Sequence, residues 1–212
     1  MFGKRGIAVM LSLRGLTGRE GGTREMNNQS YGIIYTDPPW PQKKGNIRKC
    51  RPNQTRALDY ATMSIDDIFS LHDKFFAQTE KKHNVFMWAI DKYLHEAELK
   101  MQERGYILHA RMIWDKQNGI APAFTVRYSH EYLLWFYPKG NMLKPCEEQQ
   151  GKFLTVFQER STAHSKKPEY AYRMIEAMFP DAKKIELFAR NTRAGWDAWG
   201  DQLPTEEERT NG

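Results

Sequence analysis

Residues 31–40 of the chain are Tyr-Gly-Ile-Ile-Tyr-Thr-Asp-Pro-Pro-Trp. The apolar run over the first six of them predicts a short, buried parallel strand. The two prolines cannot continue a sheet's hydrogen-bond ladder, so the strand ends before them and the loop that follows is stiff. The aspartate and the tryptophan therefore lie at the carboxyl end of a strand, which is where ligands bind in an open α/β sheet.

The motif Asp37-Pro38-Pro39-Trp40 suits chemistry on a planar exocyclic amine such as that of adenine. Asp37 and the Pro38 carbonyl can each accept a hydrogen bond from the amine. Such acceptors favour a transition state in which the nitrogen becomes tetrahedral and gains positive charge. Trp40 offers a face on which an extruded base can stack. The alternative is a proline turn that closes the strand, with Trp40 as a packing residue.

The composition indicates a soluble globular chain with one domain. The 212 residues include 40% hydrophobic and 27% charged side chains, which suits a sizeable core. The formal net charge of +6 permits a polyanionic partner, although scattered Lys and Arg side chains also fit a solvated surface.

Cys50 and Cys146 are far apart and lack metal-ligand spacing, which predicts reduced thiols in a cytoplasm, with no disulfide and no metal site. No apolar run is long enough to span a membrane.

Hydrophobic periodicity predicts strands and helices that alternate along the chain. Helices are predicted over residues 64–81, with Ser64 as the N-cap, 92–104 and 168–179. After the first strand, further strands are predicted over residues 84–90, 106–114, 131–137, 153–157 and 183–188. The alternation predicts a doubly wound α/β sheet.

The ends of the chain differ from its middle. Residues 1–28 are rich in Gly and Arg without clear periodicity, which predicts a disordered N-terminal arm or an upstream start, with Met26 as the functional one. Residues 29–205 make up the predicted domain, and residues 206–212 a polar tail.

A long polar segment follows the proline motif over residues 41–61. Long loops in compact domains tend to be functional, and this one follows the presumed site directly. We interpret it as a substrate-touching lid, in which Lys43 and Lys44 contact the substrate. Plain disorder is the alternative.

Three blocks, in order, make the chain resemble the MT-A70 family of S-adenosylmethionine-dependent N6-adenine methyltransferases. They are the proline motif at 37–40, the segment RSTAHSKKP at 160–168, and the segment KIELFAR at 184–190 that continues to GDQL at 200–203. Three blocks in order are more specific than any one of them. The resemblance implies a Rossmann-like methyltransferase sheet that is permuted, with the catalytic strand before the cofactor strand. It also implies S-adenosylmethionine as the cofactor.

The resemblance assigns cofactor-binding roles to single residues. Lys167 matches the family lysine that reaches the cofactor's methionine carboxylate, with a helix-flanking surface lysine as the alternative. Glu186 matches a position whose carboxylate accepts from ribose hydroxyls or orients neighbours, with a solvent-facing strand residue as the alternative. Arg190 belongs to the same block, and Asp201 and Gln202 match an Asn-Gln pair that contacts the cofactor's adenosine portion.

The sequence also departs from the family pattern. Thr192-Arg193 occupy the positions of His-Asn in mRNA-type members, although Arg193 can still reach a ribose. Asp201 replaces an amide, which changes a donor to an acceptor. On the substrate side, Trp114-Asp115-Lys116 resembles the family's Trp-x-Lys before its substrate loop, and Arg127 and His130-Glu131 resemble a substrate-side segment. Lys116 and Arg127 are predicted to contact the substrate, with a solvated charge as the alternative for Lys116.

The leading function is methyl transfer to the N6 amine of adenine in DNA. The same chemistry on RNA and a catalytically silent nucleic-acid-binding subunit are the alternatives. Asp37 favours adenine, because related enzymes acting on cytosine tend to carry Ser at that position and those acting on glutamine carry Asn. The intact motif argues against a silent subunit, and the small size favours DNA. We expect a monomer or homodimer in the cytoplasm of a bacterial host.

Overall fold

The computed structural model describes residues 30–41, 62–117, 126, 128–160 and 166–203. The strands are β1 (Tyr31–Thr36), β2 (Thr79–Ala89), β3 (Tyr106–Asp115), β4 (His130–Pro138), β5 (Val156–Gln158), β6 (Lys184–Leu187) and β7 (Trp196–Trp199). The α-helices are α1 (Ile65–Phe76), α2 (Leu94–Glu103) and α3 (Glu169–Met178), and short 3₁₀ helices cover Asp91–Tyr93 and Glu147–Gln149.

These strands form one mixed sheet in the order β5-β3-β4-β2-β1-β6-β7. β1 lies between β2 and β6 and is parallel to both, and β7 is parallel to β6. β4 is antiparallel to β2 and to β3. The prediction that β1 is a buried parallel strand is confirmed, because every one of its residues is buried.

Helices cover both faces of the sheet. In β1, Ile34 points into a core with α1 and α2, whereas Ile33 and Tyr35 point into a second core with α3. This alternation follows from the period of two along a strand. The predicted doubly wound α/β architecture is therefore confirmed. β1, which leads into Asp37, is the parallel neighbour of β6, which carries Glu186, as the predicted permuted sheet requires.

Two predictions of local structure were wrong. The first helix begins after its predicted cap, where Ser64 Oγ accepts from the Asp67 amide at 3.1 Å, but it ends at Phe76 rather than at residue 81. β2 starts at Thr79, and the first part of this strand is polar and exposed, so no apolar alternation marks it. β7 was not predicted, because it is a four-residue strand within a segment of mixed polarity.

The predicted arm over residues 1–28, most of the predicted lid, Arg127 and the polar tail lie outside the described residues, so these remain predictions. None of the described helices is long and apolar enough to cross a membrane.

Candidate active site

The proline motif forms a tight turn at the carboxyl end of β1. The Asp37 amide lies 3.5 Å from the carbonyl of Leu187, at the end of β6, so the two parallel strands end together. The Pro38 carbonyl accepts from the Trp40 amide at 2.8 Å, and the Pro39 carbonyl accepts from the Met63 amide at 3.0 Å. A carbonyl oxygen has two lone pairs, so the Pro38 carbonyl retains capacity for a ligand.

Trp40 does not present a stacking face. Its side chain is 4% exposed, and its ring stacks on Tyr93 with centroids 5.5 Å apart and planes 16° apart. Phe69 packs against it as well, and its Nε1 donates to the Trp88 carbonyl at 3.0 Å. The prediction that a base stacks on Trp40 is wrong for this structure, because Trp40 is a core residue that fixes the turn.

Four side chains of alternating charge are ion-paired in a row next to the proline motif: Asp37, Lys167, Glu131 and Lys116. Lys167 Nζ lies 2.9 Å from Asp37 Oδ1 and 2.8 Å from Glu131 Oε2. The other carboxylate oxygen of Glu131 accepts from Lys116. The side chains of Asp37, Glu131 and Lys167 are 19%, 13% and 10% exposed. We name these four residues the charge chain.

Burial and charge oppose each other in the charge chain. Burial raises the pKa of Asp37 above its ordinary value, although Lys167 acts against this shift. Burial would also raise the pKa of Glu131, but Lys167 and Lys116 outweigh it and lower that pKa. The pKa of Lys167 is raised, because its two carboxylates outweigh the effect of burial. Lys167 is therefore a firmly charged counter-ion, and the alternative of a surface lysine is excluded.

A cavity of about 350 Å³ opens beside Asp37, and a smaller one of about 150 Å³ adjoins it. Both are lined by Asp37, Phe188 and Arg190. The structure thus brings together all six residues that the resemblance assigns to the cofactor: the larger cavity is lined by Lys167, Glu186, Arg190 and Arg193, and the smaller by Arg190, Asp201 and Gln202.

Glu186 faces the larger cavity rather than open solvent. Its Oε1 accepts from the Tyr172 hydroxyl at 2.9 Å. Burial raises the pKa of Glu186 to about 7, with Asp37 adding to the shift and Tyr172 and Arg193 acting against it. Its carboxyl group therefore changes charge near neutral pH. Tyr172 was not identified from the sequence, where it is one apolar residue among others on a predicted helix.

Arg193 is held mainly by the protein itself. Its Nε donates to Glu176 at 2.6 Å and its guanidinium forms a pair of hydrogen bonds with Glu169. The guanidinium carbon lies 4.6 Å from the centroid of the Tyr172 ring. Most of the five N–H donors of the guanidinium are thus used. Arg193 lines the cavity, but its guanidinium is bound to two glutamates of α3. Few of its N–H groups remain for the predicted contact with a ribose.

The N-terminus of α3 is capped by a residue that the sequence did not reveal. Glu159 accepts from the amides of Glu169 and Tyr170 at 2.7 and 2.9 Å. A carboxylate is favourable at a helix N-terminus because it satisfies free amides and opposes the helix dipole. Pro168, which was expected in the first turn, is the N-cap and makes no side-chain cap. Glu159 thereby fixes the segment that carries Lys167.

Gly200 allows two backbone segments to approach closely. A Cβ atom at this position would lie 2.2 Å from the Ala189 carbonyl oxygen. The Ala189 amide donates to the Trp199 carbonyl at 2.9 Å, which joins the segments. Because the obstacle is backbone, a side chain at Gly200 would force one of the two segments to shift, and Asp201 and Gln202 directly follow this contact.

Gly200→Ala is expected to lower the affinity of the site for cofactor and to cost about 1–3 kcal/mol of stability through overpacking. Gly105→Ala is the matched control, because Gly105 has a φ of +80° and no atom near the added Cβ. The control should lose stability through backbone strain and keep its cofactor affinity. Calorimetry with S-adenosylhomocysteine and thermal unfolding measure the two effects. Equal cofactor affinities in both variants would contradict the assignment of Asp201 and Gln202 to the site.

No group of three or more His, Cys, Asp or Glu side chains that could hold a metal occurs among the described residues. Cys146 is free. The carboxylates of Asp37 and Glu131 are ion-paired with Lys167.

The fold and the site together define a Rossmann-like methyltransferase: parallel strands end beside a cavity, with an acidic motif on one strand and a charged, hydrogen-bonding lining on the next. Comparison with known families agrees. Residues 31–202 match the family model MT-A70, and the chain belongs to this family of N6-adenine methyltransferases.

The relatives found include a type II methyltransferase and methyltransferases named for N6-adenosine or RNA. The chain is 27% identical over 194 residues to the type II methyltransferase M.MunI of Mycoplasma sp., a match that covers 85% of this chain and 81% of that protein. It is 28% identical over 184 residues to the human N(6)-adenosine-methyltransferase catalytic subunit METTL3, covering 82% of this chain and 28% of the relative. It is 25% identical over 193 residues to the N6-methyladenosine RNA methyltransferase MTA1 of Pyricularia oryzae, a match that covers 86% of this chain and 49% of that protein.

Proposed function

We propose that the protein transfers a methyl group from S-adenosylmethionine to the N6 amine of adenine in DNA. The observation that carries this proposal is the position of Asp37, a partly buried acceptor at the edge of two adjoining cavities and paired with Lys167. Membership of an N6-adenine methyltransferase family supports the reaction type.

The described residues fit the cofactor. S-adenosylmethionine has a carboxylate and an ammonium at one end, a ribose in the middle and adenine at the other. Lys167 supplies a cation for the carboxylate, Glu186 an acceptor for ribose hydroxyls, and Gln202 an amide for the adenine end. A cavity of about 350 Å³ is within the range of small-ligand sites, about 300–1,000 Å³.

The role of Asp37 follows from the charge that the amine gains. S-adenosylmethionine would supply an electrophilic methyl group when bound, and an amine nitrogen that accepts this group becomes cationic. An Asp37 carboxylate that accepts from the amine opposes this developing charge, and it is preorganised because the prolines and the buried Trp40 fix its backbone.

Two observations bear on DNA as the substrate. The match with the type II methyltransferase spans most of both proteins, whereas the match with the human N(6)-adenosine enzyme spans about a quarter of it. RNA is the second candidate, supported by relatives whose names specify adenosine or RNA. The chemistry at Asp37 is the same for both.

Mass spectrometry of nucleosides from host DNA and RNA after expression distinguishes these substrates. N6-methyladenine in the DNA fraction, absent when Asp37→Ala is expressed, is the expected result. The modification in RNA alone would replace DNA by RNA. If purified protein binds cofactor and nucleic acid and modifies neither, the silent-subunit alternative takes the place of the proposal.

The charge of Glu186 gives a pH prediction for cofactor binding. The ionised carboxylate is the better acceptor for ribose hydroxyls, and burial raises the pKa of Glu186 to about 7. Affinity for S-adenosylhomocysteine should therefore rise as the pH increases towards 7 and level off above it, by up to about tenfold per pH unit on the acidic side. Glu186→Gln should lose this pH dependence. Calorimetry at several pH values provides the test, and a parental pH profile in Glu186→Gln would exclude Glu186 as its source.

A further inference from the structure

We propose that Glu131 is a positioning residue that couples the nucleic-acid side of the site to the cofactor side, by sharing its carboxylate between Lys116 and Lys167. This inference rests on the proposed function, which places the cofactor carboxylate at Lys167. It assigns a role to a residue that neither the proline motif nor the cofactor-site blocks contain.

The geometry gives each lysine one oxygen of the same carboxylate. Glu131 Oε2 lies 2.8 Å from Lys167 Nζ, and Oε1 accepts from Lys116. Lys116 directly follows β3, and its amide donates to the Ser129 carbonyl at 3.0 Å, which joins the ends of β3 and β4. Lys116 thus lies on the side where the sequence predicts substrate contacts, and Lys167 lies on the cofactor side.

Each of the two lysines lies over the ring of a buried tryptophan. Lys116 Nζ lies 5.4 Å from the centroid of the Trp114 ring, and Lys167 Nζ lies 5.1 Å from that of Trp88. The two tryptophans are almost fully buried and pack edge to face with centroids 5.7 Å apart. Since the indoles are fixed, a change at one lysine is transmitted through the Glu131 carboxylate.

The direction of the coupling follows from the charges. With Lys116 in place, the negative charge of Glu131 is divided between two ammonium groups. If Lys116 is removed or drawn away by a phosphate, the full charge of Glu131 acts on Lys167 and on an approaching carboxylate. Lys167 is then less available to the cofactor, so cofactor affinity falls. The effect requires Glu131 and vanishes without it.

A double-mutant cycle with S-adenosylhomocysteine as the probe tests this inference by calorimetry without nucleic acid. Lys116→Met should lower the affinity at least about fivefold, the lower end of typical coupling between sites. Lys116→Arg, which keeps the charge, should retain the parental affinity. Lys82→Met removes an equal charge from the exposed part of β2 and should have no effect. In a Glu131→Gln background, Lys116→Met should change nothing.

The outcomes separate the coupling from the proposed function. If the parental protein does not bind the probe, the cofactor assignment fails, and the coupling with it. If the parental protein binds and Lys116→Met binds equally well, or loses the same affinity in the Glu131→Gln background, only the coupling is overturned. Should Glu131→Gln fail to fold, as judged by circular dichroism, the contrast between Lys116→Met and Lys116→Arg decides alone, and equal affinities would overturn the inference.

Discussion

Asp37→Ala is expected to slow methyl transfer by about 10²–10³-fold, the usual cost of removing one preorganised electrostatic partner of a transition state. The protein should stay folded, because Lys167 keeps Glu131 as a counter-ion at 2.8 Å. Cofactor affinity should be largely retained, since Asp37 acts on the amine. Single-turnover transfer of a labelled methyl group to host DNA measures the rate, and calorimetry with S-adenosylhomocysteine measures the affinity.

Two further variants serve as controls: one separates the charge of Asp37 from its shape, and the other removes a carboxylate elsewhere. Asp37→Asn keeps the shape and one acceptor but removes the charge, so a large loss in this variant would show that charge is the main contribution. Asp66→Ala removes an exposed carboxylate from α1 and should transfer methyl groups at the parental rate. A near-parental rate in Asp37→Ala would show that the proline motif is not the catalytic site.

The central strand could be predicted from sequence because its signals are local. β1 is an apolar run ended by two prolines, and both features act within ten residues. The start of β2 could not be predicted in this way, since its exposed polar residues have no strand pattern. In this stretch Thr79 alone pairs with β1, opposite Tyr31, and the register is interrupted before Asn84. The hydrophobic pattern of a sequence marks a strand only where at least one face of that strand is buried.

The site shows the same division between local and distant signals. The three blocks of the resemblance identify residues that the fold brings to one pair of cavities. The resemblance placed Glu131 in a substrate-side segment, but its ion pair with Lys167 was not predicted, because the two residues are 36 positions apart. The burial of Trp40 depends on Phe69 and Tyr93, which come from other elements. Nothing in the motif itself distinguishes a stacking indole from a packed one.

The support of Arg193 had a sequence signal that could have been used. Glu169 and Glu176 are seven residues apart, which places both on one face of a helix, and both bind the Arg193 guanidinium. A pair of acids at this spacing, followed by an arginine in the cofactor-site block, favours a structural ion pair over a free ligand contact.

Lys167→Met is expected to cost about 3–5 kcal/mol of stability, typical of breaking a buried ion pair by removing one partner. It leaves the carboxylates of Asp37 and Glu131 buried without their shared cation. Burial would then raise the pKa of Asp37 without Lys167 to oppose it, whereas Glu131 keeps Lys116 as a counter-ion. The variant should therefore lose stability as the pH rises above the ordinary pKa of Asp37 in the unfolded chain. Urea unfolding at about pH 5 and about pH 8 should therefore show the larger deficit at the higher pH.

Cofactor affinity of Lys167→Met should fall by about ten- to a hundredfold, since a charge-assisted hydrogen bond contributes about 1.5–3 kcal/mol. Lys82→Met removes an exposed lysine charge from β2, away from the residues that line the cavities, and should change neither property. The triple variant Lys167→Met, Asp37→Asn, Glu131→Gln removes both carboxylates and leaves only the more exposed Lys116 without its partner. It should regain much of the stability without regaining affinity. Recovery of both properties in the triple variant would mean that Lys167 only balances its carboxylates and does not hold the cofactor.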